Sequence, residues 1–181
     1  AIGIGGNEKI IFNNLFNDIL ITFSIIFFYL IPFIFLKIFK LNNFLNIKNI
    51  LVSIIVFLIC LINFDYNYSY SGGGFFFKVS NYFFNNNYLF YFVSFFSILI
   101  CFSLITKNYY NILLLIIIIL NNPQYTIYHK YFDPFLIIAF FTIFIFKVNL
   151  NEIFYAKKYY VIFCYFLFFL IISNIKSILI T

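Results

Sequence analysis

The sequence predicts an all-α protein, a polytopic transmembrane helical bundle of about six spans with short interfacial helices. Three observations carry that expectation. Of its 181 residues 65% are hydrophobic, with a mean hydropathy of +1.07, whereas an ordinary soluble domain is about half apolar. Only 9% are charged, against about 25% in soluble domains. The apolar runs are continuous instead of alternating at period two, which argues against a membrane β-barrel.

Phe, Ile, Asn, Tyr and Lys dominate, while Arg and Trp are absent. Those favoured residues have A/T-rich codons, so the 27% aromatic content reads as compositional drift. Tyrosines then count as evidence only where they cluster outside lipid. No Met occurs, position 1 included, and the expectation is one transmembrane domain over 1–181, a fragment of a longer membrane protein.

The elements follow in order. Residues 1–18 open on glycines and continue IIFNNLFND, predicting a short interfacial helix through Ile10, Ile11, Leu15 and Phe16 that ends near Asp18. The first span is Ile19 to Leu36, with Pro32 near its end, tolerable in a membrane helix. A basic, amphipathic connector at 37–49 should lie in the interface plane. The second span is about Ile50 to Phe64. The polar interval 65–87 holds Gly72, Gly73 and Gly74, which break regular structure, and FFFKVSNYFF after them predicts a short interfacial or re-entrant helix. Its triple glycine reads as a flexible hinge ahead of an anion cradle. The third span is Tyr88 to Ile105. The fourth, Ile112 to Leu120, is short unless Tyr109 and Tyr110 extend it. Pro134 suits the start of a fifth span reaching Phe146, with Asp133 as its N-cap. The sixth is Tyr159 to Ser173. Cys60, Cys101 and Cys164 each lie in an apolar run without CxxC spacing and read as small buried hydrophobes.

Charge orients these spans. Lys37, Lys40, Lys48, Lys107, Lys147, Lys157 and Lys158 face Glu152 alone in the connectors 37–49, 106–111 and 147–158, which accounts for the whole net charge of +6. Elsewhere Lys9, Lys78, Lys130 and Lys176 balance Glu8, Asp18, Asp65 and Asp133. The positive-inside rule makes the basic connectors cytoplasmic. Both termini and the loops 65–87 and 121–133 are then extracytoplasmic, in agreement with the Asn67-Tyr68-Ser69 sequon. A re-entrant fourth span is the weak point of this topology.

The predicted spans contain no Asp, Glu, Lys, Arg or His at depth. That weighs against proton pumps and ion-coupled transporters, which need buried ionisable groups. One histidine cannot supply paired haem ligands. His129, Asp133 and Asp65 are too few for a zinc site. No cofactor or metal is expected, and nothing implies a nucleic-acid partner; the bilayer is the partner. Chemistry therefore concentrates in NNPQYTIYHKYFDPF, residues 121–135. There Tyr125, Tyr128, His129 and Lys130 combine ring faces with two groups suited to an anion, and Asp65 sits at the outer end of a span as a possible base. An ordinary interface belt, with tyrosines at headgroup level, explains the same residues.

This layout, with NPQYTIYHKYFDP between two spans, resembles the C-terminal half of GT-C-type polytopic membrane glycosyltransferases over about residues 65–146. The resemblance implies transfer from a polyprenyl-phosphate-linked sugar at the extracytoplasmic face. It assigns His129 and Lys130 to the donor phosphate and the tyrosines to the sugar. It carries over no catalytic residue, because the family's usual carboxylate lies in a first outer loop. The competing expectations are a non-catalytic structural subunit of a membrane complex and, third, a lipid or solute transporter using Ser53, Ser94, Ser97 and Thr142 at depth.

Overall fold

The computed structural model describes residues 8–38, 46–67, 72–105, 109–120, 126–133, 135–139, 143, 153–154 and 157–180. Among them all regular structure is helical: α1 (Glu8–Phe35), α2 (Ile47–Ile62), α3 (Gly74–Phe84), α4 (Tyr88–Ile105), α5 (Tyr109–Leu120), a 3-10 turn (His129–Tyr131), α6 (Phe135–Ile138) and α7 (Tyr159–Ile180). One helix among the described residues, Asn14–Phe35, is long and apolar enough to cross a bilayer. Ile47–Ile62, Tyr88–Leu104, Tyr110–Leu120 and Tyr159–Ile171 are apolar but shorter.

The first departure from expectation is α1. No helix end falls near Asp18; one helix runs from Glu8 to Phe35. Neither Gly nor Pro occurs before Pro32, and isolated Asn or Asp residues cost a helix well under 1 kcal/mol each. Asp18 is therefore 4% exposed inside α1. The helix end expected near Asp18 is thus replaced by a buried position within a continuous helix.

The chain divides into two compact units, Ala1–Tyr29 with Leu41–Phe146, and Leu30–Lys40 with Lys147–Thr181. In the first, α4 runs parallel to α1. Ser94 Oγ donates to the Leu20 carbonyl at 3.1 Å, and Ser97 Oγ donates to the Phe23 carbonyl. Both serines are fully buried, so small side chains let the two backbones approach. Helix α2 runs antiparallel to α4, because Phe57 meets Phe95 at one level and Phe64 meets Phe90 at another, with ring centroids 5.4 and 5.3 Å apart. Asn46 caps α2 by accepting from the Lys48 N–H.

Three consecutive asparagines turn α3 into α4. Asn85 takes the left-handed conformation at φ 52, which Asn tolerates at a helix end. The Asn86 side chain accepts from the Tyr88 N–H, and Asn87 Oδ1 accepts from Asn81 Nδ2 at 2.7 Å. Buried Ser80 donates to the Asn86 carbonyl and accepts from the Phe90 N–H. Phe64, Tyr66, Phe77 and Phe90 interlock edge to face or tilted across this junction, a geometry that adds to simple burial.

In the second unit, Lys37 and Lys157 both have φ 53. The Ile38 N–H reaches back to the Phe33 carbonyl and the Lys158 N–H to the Ile153 carbonyl, the six-to-one bond of a Schellman helix end. Lys158 Nζ also donates to the Leu36 carbonyl at 3.4 Å. Helix α7 continues to Ile180, beyond the expected Ser173. Cys60 and Cys101 are buried as expected, but Cys164 is exposed on α7. Pro134, Thr142, the sequon's Tyr68 and Ser69, and most of the expected fifth span and third basic connector lie outside the described residues.

Candidate functional site

Two irregular segments meet beside α1. Gly72 is packed so closely that an added Cβ would stand 2.6 Å from the Tyr66 hydroxyl and 2.7 Å from both backbone N and O of Ile127. Gly73 holds φ +92, a conformation that L side chains rarely adopt. Its N–H donates to the Ile127 carbonyl at 2.8 Å. That bond commits the group which would have cradled an anion. The glycine run is thus a packed contact, in place of the flexible hinge expected there. Ile127 is 1% exposed.

From Ile127 the chain enters the 3-10 turn that carries His129 and Lys130. The His129 ring lies edge-on to Phe28, with centroids 4.8 Å apart, and stacks on Tyr29 at 5.3 Å. Both ring nitrogens are buried. Burial pushes the imidazole down to about 4, because the charged form loses its hydration. At neutral pH His129 is uncharged. Lys130 is exposed and places Nζ 5.1 Å from the centre of the half-buried Tyr128 ring, a cation–π contact.

Asp65 stands elsewhere. Its carboxylate accepts from Asn17 Nδ2 at 2.6 Å, and its own N–H donates to Asn17 Oδ1 at 3.1 Å. Asn17 and Phe28 are eleven residues apart on α1, about 16 Å along its axis at 1.5 Å per residue. Of the expected site residues, then, Tyr128, His129 and Lys130 form one group. Asp65 forms another with Asn17, and Tyr125 lies outside the described residues. Asp133 is exposed, and the helical bond after it runs between backbone groups, from the Leu136 N–H to the Phe132 carbonyl at 2.9 Å.

Sequence reasoning missed Asn17 and Asp18. A spacing signal was present: Asn14, Asp18 and Thr22 recur every four residues, the stripe of one helix face, and all three are buried. Among the described residues no three His, Cys, Asp or Glu gather where they could hold a metal ion. No protein-family model, curated protein or solved structure matches the chain.

Proposed function

We propose that this chain is a polytopic integral membrane protein whose two irregular segments are embedded within the bundle, and that it moves a small solute across the membrane. The observation that carries the reading is the Gly73–Ile127 hydrogen bond, made between non-helical stretches packed against α1. Irregular backbone at membrane depth is tolerated where protein buries it or where it lines a cavity, and broken helices mark the binding sites of many transporters. Membrane residence is supported by the rows of apolar side chains that α2, α5 and α7 leave exposed, Ile55, Leu58, Ile117, Leu120, Phe163 and Phe168 among them. Patches of that extent face lipid or a partner.

The alternating directions of α1, α2 and α4 agree with three successive crossings. The 12 residues of α5 cover about 18 Å, short of the ~30 Å hydrocarbon core. In this reading the described segment 126–133 sits within the bilayer's thickness, entered and left from the face of the basic connectors, which keeps 106–111 and 147–158 cytoplasmic. Proteoliposomes holding radiolabelled alkali cations, amino acids or phosphate should release at least one of them faster than protein-free vesicles. Retention of every class would sink the proposal. A cysteine at Gln124 should resist an impermeant thiol reagent added from outside; brisk labelling there would restore an extracytoplasmic loop.

A second reading, sugar transfer from a polyprenyl phosphate, draws on Lys130 over Tyr128, an exposed cation beside a ring face. In that reading Lys130 meets the phosphate and Tyr128 the sugar, while His129, neutral and half-buried, supports the turn. Binding of a polyprenyl-phosphate sugar that falls at least tenfold in Lys130→Ala would favour it over transport.

A further inference from the structure

Two helix ends within the second unit share an uncommon feature. At each, the residue that closes the Schellman turn is a lysine at φ 53, Lys37 in one and Lys157 in the other. Glycine is the usual occupant of that position, because a side chain there crowds the backbone. Asparagine tolerates it through its short polar side chain, and Asn85 fills the same role at φ 52 after α3. Lysine has no such local relief. The two turns also touch. Lys158 Nζ donates to the Leu36 carbonyl at 3.4 Å, so Lys37 and Lys157 flank one contact. Both are exposed, and the Lys158 ammonium keeps two further donors.

The surroundings are lopsided in charge and in polarity. The second unit carries six lysines against Glu152 alone. Beside the lysines stand bare rings. Phe35, two residues before Lys37, is 80% exposed, and Phe154, three before Lys157, is 66% exposed. Tyr159 lies 6.3 Å from Phe154 and 4.1 Å from the exposed Tyr160, centroid to centroid. A cationic cluster next to exposed rings matches an amphiphile with an anionic head. We propose that Lys37, Lys157 and Lys158 bind the headgroup phosphate of an anionic phospholipid, whose acyl chains lie along Phe35, Phe154 and Tyr160. Basic groups at the cytoplasmic leaflet attract such lipids, and both turns belong to connectors that the charge rule puts on that side. The site rests on the membrane residence proposed above and is independent of transport.

The test is native mass spectrometry of the full chain released from nonionic detergent micelles doped with dioleoyl phosphatidylglycerol or dioleoyl phosphatidylcholine. One phosphatidylglycerol should bind saturably, at least tenfold more tightly than phosphatidylcholine. Lys37→Gly and Lys157→Gly should each weaken that binding about fivefold. Neither should lower the thermal midpoint, because glycine adopts φ 53 without strain. Lys37→Asn, which suits the same backbone, should show the same loss and keeps the test open if a glycine variant does not fold. Equal binding of the two lipids would overturn the site, as would an unchanged affinity in these variants. A midpoint that falls together with binding would also overturn it, giving the lysines a structural role. Displacement of the lipid by inorganic phosphate, but not by chloride at equal ionic strength, would assign the lysines to a free anion and overturn the lipid. A chain that stays dispersed without detergent would remove membrane residence and the site together, whereas failure of lipid binding alone removes only the site.

Discussion

Helices α1 and α2 are built from the same few residue types and have opposite fates. In α1, Leu20, Ile21, Ile25 and Leu30 are at most 1% exposed, and Asn14, Asn17, Asp18 and Thr22 are buried with them. In α2, Leu51, Ile55, Leu58 and Ile59 are between 48% and 56% exposed, and the buried positions are Asn49, Ser53 and Cys60. Hydrophobicity does not separate the two. Small and polar residues do: each helix turns its Ser, Asn, Asp or Thr stripe inward and leaves greasy side chains wherever no protein covers them. In a bilayer that is the expected sense, because lipid competes for apolar side chains and only polar or close contacts favour protein over lipid.

The sharpest attack on this contrast is a matched pair of truncations. Leu20→Ala should cost about 3 kcal/mol, since it opens a cavity at a fully buried site. Leu58→Ala, 48% exposed in the wild type, should stay within about 0.5 kcal/mol. Equal losses in micelle-based unfolding would erase the distinction. Gly72→Ala comes next, at about 2–3 kcal/mol, because the new methyl meets backbone atoms of Ile127 that cannot swing aside. A neutral Gly72→Ala would mean that the two irregular segments do not pack.

Acidification gives a smaller effect with a definite sign. The His129 pKa is lowered by burial from 6.5 to about 4, so between those values the unfolded chain binds more protons than the folded one. Stability is therefore intact above about 6.5 and falls as the pH drops toward 4, by about 2 kcal/mol once partial exposure is allowed for. His129→Phe should flatten that slope, and an unchanged slope would place the titration elsewhere. The smallest effect is Ser97→Ala, about 1 kcal/mol, the usual net worth of a buried hydrogen bond. No change at all would show that close approach, and not the bond, holds α4 to α1.

The helical class and most of the element boundaries were legible. Tyr88 to Ile105 matched throughout, and Tyr109 and Tyr110 did extend α5, because continuous apolar runs between Asn-rich breaks leave a chain few choices. The continuity of α1 was not legible, since Asn and Asp at helix depth look like a boundary until partners for them exist. Asn17 finds its partner 48 residues away, in Asp65. The asparagines at 85–87 were read only as the end of a polar interval, yet each makes a bond or a backbone conformation that the turn requires. His129 illustrates the same limit from the other side. Its chemistry suggested an anion ligand, and only the two rings from α1 reveal a half-buried side chain whose ring nitrogens are shielded.

The serine clasp on α1 also sets a clock. Ser94 and Ser97 each lie 74 residues beyond the carbonyls they hold. At roughly 5–20 residues per second of synthesis, α1 waits about 4–15 s before its partner exists. During that interval its stripe of Asn14, Asn17, Asp18 and Thr22 faces whatever surrounds a newborn helix. Whatever shields that stripe in the interval determines how many copies reach the folded state.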